Sequence, residues 1–380
     1  MNLSALASTA RTRVTSIRGF GLVEIMIAMT LGVLIILTVS TLFSDTSRTL
    51  FEVSRTGRQL ENSMFTLDLL AGELALAGYW GEAGYPIVAD AQIFLSDEDI
   101  ETAPGSLSWT PGSAVPPICM GTGASISGSA DDNKAELAYA MEFPVYSASG
   151  ASLNSEFTAN TCGGGGATAR AGSEFFVVRR ASTCATGSSP LPTNNNCPVL
   201  GNFYHLQTNG CYSENAGLSG GEIKLYQVTE ATVGTLLPFT AYDCATASPI
   251  YRYVNRIYYV DANDILTRLT LDNDGGTIRF MPEQLVQGVE LLRFEWLIDA
   301  NGDGEYDTVS RAPSVADWTN MVGVKIWLVT RATTEEPGFT DDFTYTIAGD
   351  SWTVPSGNEG YRRRVQSRTV DLPNIGGRRR

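Results

Sequence analysis

Residues 20–43 read FGLVEIMIAMTLGVLIILTVSTLF, an apolar run broken by a single charge, Glu24. A helix rises about 1.5 Å per residue, so a run of this length spans a hydrocarbon core of roughly 30 Å. Arg11, Arg13 and Arg18 precede the run, and no acidic residue occurs before Glu24. The positive-inside rule therefore predicts a single-pass helix with residues 1–19 in the cytoplasm and the remainder outside it. The whole chain carries a formal charge of −15, which argues against a nucleic-acid reader.

Glu24 decides how the run is read. A secretory signal peptide needs a small-x-small cleavage site after its apolar core, and the nearest match, Thr38-Val39-Ser40, is weak. A plain anchor leaves the carboxylate unexplained, although at membrane depth it costs about 2.5–3.5 kcal/mol and calls for a partner. The third reading supplies one. Arg18-Gly19-Phe20-Gly21-Leu22-Val23-Glu24 resembles the leader junction of type IV prepilins. The resemblance implies cleavage by a prepilin peptidase between Gly19 and Phe20, N-methylation of Phe20, and a Glu24 carboxylate that meets a freed amine about one helical turn away. Carboxylate and ammonium attract strongly in a low dielectric. It also implies other minor pilins, a major pilin and an inner-membrane assembly platform as partners, besides the lipid bilayer itself.

Helical periodicity continues past the membrane run. Leu60, Met64, Leu67, Leu70 or Ala71, and Leu74 recur at three- and four-residue spacing, which predicts an inward apolar stripe. Gly78-Tyr79-Trp80-Gly81 is expected to end the helix. The segment Ala77-Gly78-Tyr79-Trp80-Gly81 is similar to one in the PilW group of minor pilins.

Beyond residue 81 the chain is rich in Gly, Ser and Pro, then turns strand-like. Residues 174–180, 222–229, 251–260, 265–271, 289–298, 322–330 and 361–372 alternate or run apolar. One long helix followed by strands on short turns predicts an α+β fold with antiparallel sheet. The expected division is a leader over 1–19, a long helix over 20–81 with its membrane part at 20–43, and a periplasmic β-rich head over 82–380. Asn255–Val260, Gly288–Asp307 (GVELLRFEWLIDANGDGEYD), Trp318 before VGVKIWLV, and Tyr361–Val365 add to the PilW resemblance.

Six cysteines, Cys119, Cys162, Cys184, Cys197, Cys211 and Cys244, all follow the apolar run, and none forms a C-x-x-C pair. An even count in an exported body reads as disulfides rather than a zinc site. Six cysteines allow 15 pairings; Cys184 with Cys197 and Cys211 with Cys244 would close local loops.

The sharpest polar motif is Asp299, Asn301, Asp303, Glu305 and Asp307, spaced like the first half of a calcium loop, with Gly304 at the bend. Ser310 stands where an EF-hand places its bidentate glutamate, and the same residues also suit a plain turn. Ca²⁺ is the only cofactor the sequence suggests. His205 is the single histidine, and no nucleophile elbow or zinc-protease motif is present. The expected role is structural, a minor pilin that primes or caps a pilus. The alternatives are a type II secretion minor pseudopilin and a pilin-borne adhesin or ligand-binding head.

Overall fold

The computed structural model describes residues 19, 21–81, 114–122, 137, 140–164, 168–187, 197, 201, 203–208, 211, 223–228 and 240–375. The fold is α+β: one long helix, α1 (Leu22–Ala75), then, among the described residues, thirteen strands in antiparallel pairings. The chain divides into two compact units, Met1–Gly57 and Arg58–Arg380.

In the first unit α1 is long and apolar enough to cross a membrane. Its large apolar side chains, from Leu22 to Phe43, are exposed. Thr30, Thr38 and Thr41 donate their hydroxyls to carbonyls three or four residues back, at 2.8–3.1 Å. That satisfies them without water, as a helix in lipid requires.

In the second unit the rest of α1 packs on a β-rich body. Its inward residues are Gln59, Ser63, Thr66, Leu67, Leu70, Ala71 and Leu74. This differs from the expected stripe: Met64 is 57% exposed and Leu60 only half-buried. The reason lies in what the helix meets. Gln59 Nε2 donates to the carbonyls of Thr330 (2.8 Å) and Arg362 (3.2 Å), and Asn62 Nδ2 to that of Gln287 (3.2 Å). Strand-end carbonyls call for donors, so polar side chains take the inward positions before Leu67.

The helix stops at Ala75, three residues before the expected glycine. The following segment runs beside β2 (Glu174–Gly187): Gly78 N donates to Arg179 O at 3.1 Å and Ala181 N to Tyr79 O at 2.6 Å. Trp80 stacks on Tyr253 at 6.3 Å, and a Cβ at Gly81 would sit 2.6 Å from the Tyr251 ring. Only glycine lets the chain pass that close.

β5 (Ile250–Val260) is the spine of a seven-stranded sheet. On one side it pairs with β2, which pairs with β1 (Val145–Ser149). On the other side the sheet forks. Ile250–Arg252 meets β3 (Phe203–Thr208) and then β4 (Ile223–Val228), while Arg256–Val260 meets β6 (Ile265–Asp274) and then β7 (Thr277–Gln287). Among these, β5 is buried at every position except Arg252 and Arg256, which explains its continuous apolar reading. A short helix, α2 (Gly150–Ala159), lies between β1 and β2 and ends on Asn160 in the left-handed region.

A second, four-stranded sheet has the order β13 (Arg363–Asp371), β10 (Met321–Arg331), β8 (Val289–Ile298) and β9 (Thr308–Ser310). Phe176 joins the two sheets: it stacks on Tyr258 at 5.0 Å and meets Phe294 edge-on at 5.4 Å. Trp296 meets Trp318 edge-on at 4.9 Å and donates its indole N–H to Ser147 Oγ at 2.8 Å. Residues 332–362 leave between β10 and β13, closed at the base by Ala332 N to Arg362 O (2.9 Å). They carry a hairpin, β11 (Thr344–Ile347) and β12 (Asp350–Thr353), and Ile347 packs with Leu291 and Val329 of the four-stranded sheet. Disulfides join Cys119 to Cys162, Cys184 to Cys197 and Cys211 to Cys244.

Candidate functional site

The N-terminal motif is described in part. Gly19 is exposed, Phe20 lies outside the described residues, and Glu24 sits exposed in the first turn of α1. The Glu24 N–H closes that turn on the Gly21 carbonyl at 2.9 Å. The carboxylate is therefore held at the start of a regular helix, on the turn nearest the amine that cleavage would free.

The Asp299 loop links β8 to β9. Buried Asp299 accepts from Gly302 N (2.6 Å) through one oxygen and from Gly304 N (2.9 Å) through the other. Asp307 Oδ2 accepts from Ala300 N and Asn301 N, and Asp303 Oδ1 from Glu305 N. Asn301 turns its amide nitrogen toward Asp303 and Asp307. Buried Asp299 and exposed Asp303 and Asp307 thus each take backbone N–H donors, and among the described residues no group of three or more His, Cys, Asp or Glu could hold a metal ion. A chelator is expected to leave the melting temperature of the calcium-supplemented protein within about 1 °C, where a filled site would add stability by mass action. A calorimetric scan with and without EDTA checks this.

The strongest electrostatic feature lies at the joint between the sheets, where sequence reasoning placed nothing. Arg363 grips Glu290 through two bonds, Nε to Oε2 at 2.6 Å and Nη2 to Oε1 at 3.1 Å, and both side chains are 0% exposed. Arg363 also reaches Asp341 at 3.2 Å, which accepts from the Tyr345 hydroxyl at 2.9 Å. Arg170 bridges Glu290 (2.9 Å) and Asp264, and Arg331 pairs with Asp264 at 2.5 Å. Three cations and three anions thereby tie together the β2 approach, the β5–β6 turn, β8, β10, β13 and the loop before β11. Gly288 permits this closeness: its φ is +81° and a Cβ there would lie 2.7 Å from the Arg331 carbonyl. A second knot fixes α1 to the seven-stranded sheet, with Glu73 meeting Arg256 at 2.5 Å and Arg180 at 3.4 Å. The only sequence signal for the joint was a glutamate inside the apolar run of β8; its partner is 73 residues away.

His205 is buried in β3, its Nδ1 3.1 Å from the Phe203 carbonyl. Burial pushes its pKa down from 6.5 to about 4, the Phe203 hydrogen bond opposing and Arg252 adding to the drop. The folded chain keeps the ring neutral while the unfolded chain takes a proton below the ordinary value. Stability is therefore full above pH 6.5 and falls as pH drops from 6.5 toward about 4. The loss approaches about 3 kcal/mol. Urea midpoints of the protein and of His205→Gln, compared across that window, isolate the contribution.

Residues 257–374 match the family model for PilW, type IV pilus-assembly protein W. That region, under half of the chain, is PilW-like. That match supports a role connected with the type IV pilus. No curated protein matches the chain. Among solved structures it is similar to the type IV-like pilin TTHA1219 from Thermus thermophilus, at 17% identity over 33% of this chain and 70% of that one, with a TM-score of 0.22. The PilW-like stretch holds Asp264, Glu290, Arg331, Asp341 and Arg363, the Trp296–Trp318 contact and the Asp299 loop. Of these, Asp264, Glu290, Arg331, Asp341 and Arg363 belong to the ionic joint between the two sheets.

Proposed function

We propose that the chain is a minor type IV pilin, processed between Gly19 and Phe20, methylated on Phe20, and assembled through α1 with other pilins into a priming or tip complex. The observation that carries this reading is the conjunction, in one chain, of a PilW-like C-terminal region with a glycine–aromatic–glutamate junction at the head of an apolar helix. Residues 1–19 form the leader, 20–81 the segment that carries α1 (Leu22–Ala75), and 82–380 a head on the periplasmic side. Before assembly the apolar part of α1 holds the subunit in the inner membrane, where an assembly platform collects it. Glu24 would leave lipid for a neighbour's N-terminal amine, which turns the cost of a membrane carboxylate into a preference for one register. The work is helix packing and charge pairing; nothing in the reading requires catalysis.

The test is mass spectrometry of the N-terminal peptide from cells with and without the prepilin peptidase. A mature chain that starts at N-methylated Phe20, and only when the peptidase is present, is the expected result. A chain that still begins near Met1, or is cut near Ser40, would overturn the reading.

A further inference from the structure

The Asp299 loop contains two dipeptides with a known chemical weakness, Asn301-Gly302 and Asp303-Gly304. In each, the glycine nitrogen can lose its proton and attack the preceding side-chain carbonyl carbon. A C–N bond forms and a five-membered imide closes. Ammonia leaves from Asn301, or water from a protonated Asp303. Water then opens either carbonyl of the ring, giving aspartate or isoaspartate. Glycine makes the attack easy, since no Cβ hinders the approach. Both dipeptides are in a solvent-exposed stretch, with Asn301 and Asp303 classed as exposed or nearly so.

We infer that the Asp299 carboxylate is a guard against this chemistry, holding one vulnerable nitrogen with each of its two oxygens. Oδ1 takes the Gly302 N–H at 2.6 Å and Oδ2 takes the Gly304 N–H at 2.9 Å. A charge-assisted bond of this kind favours the protonated nitrogen and opposes formation of the amide anion beside an existing negative charge. Asp299 itself is 0% exposed, so its position is fixed by the fold rather than by the loop. The electrophiles are held as well. Asn301 Oδ1 accepts from Asp303 N (2.8 Å), and its Nδ2 donates to Asp303 Oδ2 (3.1 Å) and Asp307 Oδ1 (3.0 Å). The motif that reads as a cation loop in the sequence is, in this fold, a carboxylate that keeps two backbone nitrogens occupied.

The experiment ages the purified full chain in weakly alkaline buffer, natively and in urea, and maps peptides by mass spectrometry with fragmentation that distinguishes isoaspartate. Conversion at Asn301 and at Asp303 is expected to be at least about tenfold slower in the native chain. Equal rates in the native and unfolded chains would overturn the inference. Asp299→Asn should then raise both rates in a chain whose melting curve remains cooperative; unchanged rates in that folded variant would also overturn it. Asp307→Asn decides the matter even where Asp299→Asn fails to fold. It weakens one of the three side-chain bonds of Asn301, the one from Nδ2 to Asp307 Oδ1, and leaves both glycine nitrogens on Asp299, so slow conversion at both positions supports the guard. Fast conversion at Asn301 would assign the protection to side-chain pinning instead.

Discussion

Arg363→Ala is expected to destabilise the head by about 3–5 kcal/mol, the range for breaking a buried ion pair from one side. The variant leaves Glu290 buried at 0% exposure, with Arg170 at its rim as the remaining cation. Asp341 loses a partner at the same stroke, and with it the loop before β11 loses an anchor. Lysine at 363 should recover only part of the loss, because a point charge cannot reproduce the two-bond grip on Glu290. The pair Arg363→Met with Glu290→Leu should be milder than the sum of its singles, since neither member of the pair is left charged, although Asp341 still loses Arg363 and Arg170 still loses Glu290. Urea unfolding of the wild type, the two single replacements by Ala and Lys, the double variant and its two singles checks the whole set. A loss below about 1 kcal/mol for Arg363→Ala would mean that water or rearrangement satisfies Glu290 cheaply.

The second large effect is expected at the leader junction. Gly19→Val should leave the chain as full-length precursor and abolish its incorporation into pili, because a branched side chain at the scissile residue obstructs the peptidase on the proposed reading. Among the described residues, a Cβ at Gly19 meets nothing within 4 Å. Immunoblots of membrane and sheared-pilus fractions report the outcome. Processed protein in the pilus fraction at wild-type level would remove Gly19 from the cleavage site.

The strands that were legible in the sequence are those with an apolar rhythm. β5 and β8 are buried along most of their length and announce themselves, and β2, β6 and β10 follow the same logic, whereas β13 was read although only Arg363 and Val370 of it are buried. β7 was not legible because it is an exposed edge strand with Pro282 in its middle, and its burial has no period of two. β3 is buried throughout, yet it is short and sits among cysteines and glycines that read as loop. β11 and β12 are four residues each and depend on the sheet beneath them. On α1 the apolar spacing suggested that Met64 faces inward, whereas carbonyls at the ends of β10 and β7 draw in Gln59 and Asn62. The N-terminal motif needs no fold to be read, since its logic is local. The ionic joint could not be read, because charge pairing across sheets leaves no spacing rule in one chain.

β2 and β5 are neighbours in the sheet, although the whole cysteine-rich middle of the chain separates them. Two of the cross-links, Cys184–Cys197 and Cys211–Cys244, close within that separation and bypass 13 and 33 residues of it. Once they are made, the path from one strand to the other is much shorter. The entropy of bringing the strands together falls by about 1 kcal/mol on the loop-length relation. The central β2–β5 contact is therefore less costly to form in the oxidised chain than in the reduced one.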